Sequence, residues 1–151
     1  LMGKPGVGKT HLATALGLKA VEAGYKVLFI HANELIGWLR RSRADESYSK
    51  TLKKLGGYDL LIIDELGFKS FPDSGAYDFF EVVRRRYEAG SIILTTNRDF
   101  TGWEGILGDA VLASAIIDRL VHHSHIIKIL GDSYRLQELQ STSSSQTKNE
   151  G

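Results

Sequence analysis

Gly3 to Thr10 reads GKPGVGKT, a full match to GxxxxGK(S/T), and the helix-like stretch HLATALGLKAVEAG follows at once. A glycine-rich bend that feeds a helix N-terminus is a phosphate-binding loop, which commits the chain to strand-loop-helix geometry. Glycines at positions 3, 6 and 8 let the backbone wrap an anion, so that N–H groups and the helix dipole converge on it. The expected ATP-binding stretch is Gly3, Lys4, Pro5, Gly6, Val7, Gly8, Lys9, Thr10 and His11, with Pro5 helping to fix the bend. Lys9 is expected to neutralise β- and γ-phosphate charge, and the Thr10 hydroxyl to be a ligand of Mg²⁺, which keeps most of its waters and favours phosphate partners. A glycine-rich turn before an ordinary helix is the bland alternative.

With 151 residues the chain has the length of one domain. Its 19 basic and 18 acidic residues give a net charge of +1, so no global field advertises nucleic acid or membrane, and DNA contact must rest on local patches. It has no cysteine, which excludes disulfides and thiol-ligated metals and agrees with a reducing compartment. Without a signal peptide or an apolar run of about 20 residues, a cytoplasmic protein with no membrane partner is the expectation. Leu1 and Met2 read as the end of a strand that should carry the phosphate loop, so the first strand is expected to be truncated here.

Short apolar runs alternate with amphipathic segments. Leu12, Leu16, Ala20 and Ala23 suggest the buried stripe of a helix stopped by Gly24, and VLFI at Val27 to Ile30 a buried parallel strand. Asn33 is the expected cap of a second helix through Leu35, Ile36 and Leu39 to about Arg43. A shorter helix ends at Gly56 and Gly57, and LLII at Leu60 to Ile63 is the next strand. Phe79, Phe80, Val83 and Tyr87 mark one face of a helix after the SFPDSG turn. Strand Ile92 to Thr96, a helix with Leu112, Ala115, Ile116 and Leu120 on one face, and a final strand Ile126 to Leu130 complete the pattern. Strands alternating with helices imply a mainly parallel sheet covered on both faces. The expected organisation is a core at 1–137 and a disordered polar tail at 138–151.

LLIIDE ends a strand in two carboxylates, at the edge where open α/β sheets bind ligands. Asp64 would hold the Mg²⁺ shell opposite Thr10, and Glu65 would polarise the water that attacks the γ-phosphate. The second acid favours hydrolysis over transfer to a metabolite; a strand end with solvated acids is the alternative. Asn97, closing IILTTN, can orient the same water, or is a turn-forming residue. Arg119 in SAIIDRL is the candidate arginine finger, acting on a neighbouring subunit's nucleotide, against a plain Asp118–Arg119 surface pair. Arg135 in GDSYR is a weaker candidate nucleotide sensor.

Arg40, Arg41, Arg43, Lys50, Lys53 and Lys54 form the local basic concentration suited to DNA phosphates, or a solvated helix face. Arg84, Arg85 and Arg86 allow the same two readings, or a subunit contact. His122, His123 and His125 lack the spacing and the further ligands of a metal site. His11 and His31 read as packing or hydrogen-bonding residues.

With GKPGVGKTHLA, LLIIDELG, TTN and IIDRLVHHSHIIKILGDSYR in this order, the chain resembles the IstB-like AAA+ ATPases over roughly Leu1 to Leu136. These are transposition helpers similar to the DnaC helicase loaders. The resemblance implies an α/β P-loop NTPase of AAA+ type, a three-layer α/β/α sandwich. It also implies ATP-dependent homo-oligomerisation on double-stranded DNA and a transposase or replicative helicase as partner. The helix at Asn33 to Arg43 would be the inserted element used for DNA contact. The chain departs from the family in lacking its small N-terminal domain. It also has Ala115 where related loaders carry an extra arginine, which leaves Arg119 as the principal finger, and no room after Leu136 for a helical lid. A helicase loader is the nearest alternative function. A P-loop kinase for a small metabolite and a catalytically silent nucleotide- or DNA-binding module are the alternatives of other classes.

Overall fold

The computed structural model describes residues 1–72 and 74–134; Arg135 and the expected tail at 138–151 lie outside them. The elements run α1 (Lys9–Glu22), β1 (Val27–His31), α2 (Ala32–Ala44), α3 (Tyr48–Gly56), β2 (Leu60–Leu66), α4 (Gly75–Arg86) and β3 (Ser91–Thr96). A 3-10 turn (Phe100–Gly102), α5 (Trp103–Leu107) and α6 (Ala110–His122) follow. The three strands pair in the order β1-β2-β3, all parallel.

β2 is central and apolar on both sides, as a parallel strand buried on both faces must be. Leu61, Ile63 and Leu66 face a large core built with Leu35, Leu39, Leu52, Leu55, Phe79, Trp103 and Ile116 from α2 to α6. Leu60 and Ile62 face the other way, onto α1 through Ala13. That side buries much less apolar surface, and burial stabilises by about 25 cal/mol per Å², so the sheet is anchored chiefly from the α2–α6 side.

α1 differs from its expected stripe. Ala13 and Gly17 are its buried residues, whereas Leu16 is 44% exposed. A Cβ on Gly17 would stand 2.7 Å from Ile62 Cδ1, so close approach of helix to sheet selects small residues there. Asn33 does not cap α2: His31, extended at φ −71° and ψ 144°, holds the N-cap position and Asn33 is already within the helix. The helix begins one residue after β1 ends, which leaves no linker for a separate cap. α6 is capped by Asp109, whose carboxylate accepts from the Leu112 amide at 2.8 Å.

Leu1 to Gly3 continues the sheet beyond β3. The Thr96 amide donates to Leu1 O at 3.0 Å, and the Met2 amide to Ile127 O at 2.9 Å on the opposite side. The expected final strand at Ile126 to Leu130 is present as a parallel bridge between Lys128 and Met2.

Arg86 is not a surface cation. It is 2% exposed, and its guanidinium donates to the carbonyls of Leu55, Tyr58, Asp59 and Ser91 at 2.8–3.2 Å. It thereby ties the ends of α3, α4, β2 and β3 together, while burial pulls its pKa down from the usual arginine value. Arg84 instead pairs with Glu81 at 2.9 Å on a half-exposed face. Arg86→Met is expected to lower the unfolding free energy by roughly 2–4 kcal/mol, since four carbonyls lose the guanidinium, while Asp59 O keeps another donor, the Ser91 amide. Arg84→Met should change it by less than about 1 kcal/mol. Urea denaturation of the two variants checks the contrast.

Candidate functional site

The loop from Gly3 to Gly8 leads straight into α1, with Gly8 as its N-cap at φ 93°, a left-handed conformation that glycine adopts without steric cost. Lys9 folds back over the loop, its ammonium donating to Gly3 O and Lys4 O at 2.8 Å each. The Tyr134 amide donates to Gly6 O at 3.0 Å, so the Gly131 to Tyr134 stretch, just ahead of Arg135, lies on the phosphate loop. His11, Lys4 and Pro5 are exposed at the rim.

Across the sheet edge, β2 delivers Asp64 fully buried and Glu65 exposed. The Thr10 hydroxyl donates to both Asp64 carboxylate oxygens at 3.1 Å, which joins the start of α1 to the end of β2. The two are hard oxygen donors, the kind that Mg²⁺ takes alongside water and phosphate oxygens, so the residues present fit that ion. Among the described residues no group of three or more His, Cys, Asp or Glu offers an all-protein metal cage.

Adjacent carboxylates on a regular strand would point to opposite faces. β2 avoids this with an irregularity: its pairing with β3 runs Ile63 to Leu94 and then Leu66 to Thr96, three steps against two. Glu65 takes φ 60° within that step, an arrangement costing a non-glycine residue about 1–2 kcal/mol. Bulges of this sort re-aim side chains beside active sites.

Two further groups converge here. Thr95, fully buried on β3, donates its hydroxyl to Asp64 Oδ1 and accepts from the Glu65 amide at 2.9 Å. His31, paired in register with Asp64 at the end of β1, places Nδ1 3.7 Å from Asp64 Oδ2 and from Glu65 Oε2. The sequence reading took His31 for a packing or hydrogen-bonding residue and passed over Thr95. The signal for His31 was its position at the C-terminal edge of a strand; Thr95 had only the TT repeat before Asn97. Thr96 accepts from the Arg98 amide at 3.1 Å and so shapes the turn bearing Asn97.

Asn97 is exposed at the end of β3, and its Oδ1 would stand 3.2 Å from a Cβ on Gly67, beyond the acid pair. Arg119 lies elsewhere: its guanidinium donates to Ala115 O at 2.9 Å on its own helix and sits 5.0 Å above the Phe80 ring.

The basic group divides. Arg40, Arg41, Lys50, Lys53 and Lys54 are exposed, and Lys54 Nζ sits 5.3 Å over the Trp38 ring. Arg43, also exposed, is engaged by an acid of α4. It donates to Asp78 Oδ1 at 2.6 and 2.9 Å and stacks 3.8 Å over Tyr48, because Asp78 is wholly buried and an unpaired buried carboxylate is costly. Tyr48 donates to the same oxygen, and burial beside Asp78 pushes its phenol pKa up. His122 bonds Tyr87 and stacks with it, and His123 lies 3.5 Å from Glu88.

The sequence matches the family described as IstB-like ATP binding protein over residues 1–142. It is 49% identical over 138 residues to a Pseudomonas aeruginosa protein named for ATP binding in insertion sequence IS21, covering 91% of this chain and 52% of that one. A Geobacillus stearothermophilus counterpart named for insertion sequence IS5376 is 46% identical over 137 residues, at 91% and 55% coverage. The chain thus spans about half the length of these curated relatives. Among solved structures, the DnaC helicase loader superposes with TM-score 0.69 and 26% identity, over 85% of this chain and 76% of that one. AMPPCP-bound DnaA from Aquifex aeolicus gives TM-score 0.72 at 23% identity, over 95% and 44%, a likeness of fold. The fold is therefore that of the AAA+ P-loop domains.

Gly67, at φ 96°, supports the Glu65 turn, and a Cβ there would meet Arg98 Cγ and Ile106 Cδ1 at 2.9 Å. Gly24, at φ 88°, has nothing within 4 Å. Gly67→Ala is expected to cost about 1–2 kcal/mol more than Gly24→Ala, the clash being added to a similar backbone strain. Urea unfolding of both variants isolates that difference.

Proposed function

The chain belongs to the IstB-like ATP-binding protein family, and on that premise we propose that it is an ATP-hydrolysing AAA+ domain that assembles on double-stranded DNA and assists a transposase. The observation that carries the reading is the Thr10 hydroxyl held against the buried Asp64 carboxylate, with Glu65 exposed beside them.

In this reading ATP phosphates displace the Lys9 ammonium from Gly3 O and Lys4 O, and that charge then neutralises the β- and γ-phosphates. Thr10 and Asp64 would hold Mg²⁺, which when bound offsets phosphate charge between the β and γ positions. Glu65 takes the proton of the attacking water, and Asn97 orients that water from the next strand. Arg119 reaches a neighbouring subunit's nucleotide once it leaves Phe80, so turnover depends on assembly. Arg135, outside the described residues, stays a proposed nucleotide sensor. The DNA surface is Arg40, Arg41, Lys50, Lys53 and Lys54, with Arg43 beside them engaged by Asp78.

The insertion-sequence relatives support a transposase as partner. The likeness to the DnaC helicase loader favours a second reading, the same motor serving a replicative helicase. Pull-down against both classes separates them.

ATP turnover per subunit should rise with protein concentration and with added duplex DNA. Lys9→Ala should lose nucleotide binding. Glu65→Gln should keep ATP bound and lower turnover at least tenfold, and an unchanged rate would remove Glu65 from the role of base. Replacing Lys50, Lys53 and Lys54 together by Ala should weaken DNA binding and flatten its logarithmic salt dependence by about 3, roughly one per lost phosphate contact. A titration at several salt concentrations reads this.

A further inference from the structure

We propose that Thr95 is the positioning residue of the acid pair: one buried hydroxyl sets the rotamer of Asp64 and holds Glu65 in its left-handed turn. This deepens the hydrolytic reading above and rests on it.

Where β2 takes three steps against two on β3, the Glu65 amide is carried off the regular ladder, and a partly buried amide must still find an acceptor. It finds Thr95 Oγ1 at 2.9 Å. The same oxygen carries one hydrogen, which it donates to Asp64 Oδ1. Accepting from one neighbour and donating to the other gives the hydroxyl a fixed direction. Asp64 Oδ1 then receives Thr95 from the β3 side and Thr10 from the α1 side, so its carboxylate plane is set from both. Thr95 is 0% exposed, and water cannot replace it without opening the sheet. The side chain has no direct part in the chemistry, because Asp64 and the Glu65 backbone lie between it and the phosphate loop.

Threonine and valine share a shape and differ in the hydroxyl, so Thr95→Val removes both bonds with little change in packing, while Thr95→Ser keeps the hydroxyl and loses a methyl. Three readouts are compared with wild type and with Lys9→Ala. The first is amide hydrogen exchange at Glu65 in the nucleotide-free protein, followed residue by residue. Exchange should quicken at least tenfold in the Val variant and stay near wild type in the Ser variant, with Ile62 and Ile63 unchanged in both. The second is the Mg²⁺ concentration at which a fluorescent ATP analogue reaches half-maximal tightening, expected to rise several-fold for Val alone. The third is ATP turnover, where kcat should fall at least tenfold for Val with KM within about threefold, and Ser should restore most of it.

A Val variant with wild-type exchange at Glu65 and a wild-type Mg²⁺ response overturns the proposal. So does a Ser variant as impaired as Val, which would assign the effect to the lost methyl. A wild-type protein that binds no ATP analogue overturns the functional reading instead, and the exchange contrast between Val and Ser still decides whether the hydroxyl holds the turn.

Discussion

The carboxylate of Asp64 is buried to 0% exposure, and the site is arranged around keeping it satisfied there. A charge taken out of water is tolerated only with close donors, and the two hydroxyls that serve it come from different elements, Thr10 on α1 and Thr95 on β3. The phosphate loop, the acid strand and the strand bearing Asn97 are therefore locked to one another by a single carboxylate. His31 adds a fourth element from β1.

The same requirement, that buried charge be paired, organises the rest of the molecule. Asp78 on α4 draws in Arg43 from α2 and Tyr48 from α3, so three helices meet at another buried carboxylate. Arg86 is the inverse case, a buried cation met by four backbone carbonyls at element ends. Arginines that read alike in a run of three thus have different fates: Arg84 and Arg85 lie near Glu81 at the surface, while Arg86 is a tie inside.

Much of the fold was legible because its signals are local. The apolar runs ending at Ile30, Ile63 and Thr96 are the three strands, and the glycine spacing from Gly3 to Gly8 placed the loop before α1. The misreadings have a common cause. Of the expected stripe on α1, Ala20 packs on the core but Leu16 is exposed, because close approach to Ile62 favours Gly17 there, and Asn33 was taken for a cap because nothing local says that α2 begins directly after His31. The last expected strand meets Met2 in a single bridge, which is a property of pairing and not of the segment itself.

The sequence by itself determined the class of the domain, the phosphate loop and the acid pair, since each is written in contiguous residues whose spacing reflects backbone conformation. Tertiary structure alone decided how Asp64 and Glu65 come to the same edge despite being neighbours on a strand, because the register step against β3 turns Glu65 out of alternation. It also decided that Thr95 and His31 stand at Asp64 and that Arg43 meets Asp78. These residues lie tens of positions from their partners, and contacts at that separation are set by strand register and helix packing, which no short stretch of sequence specifies.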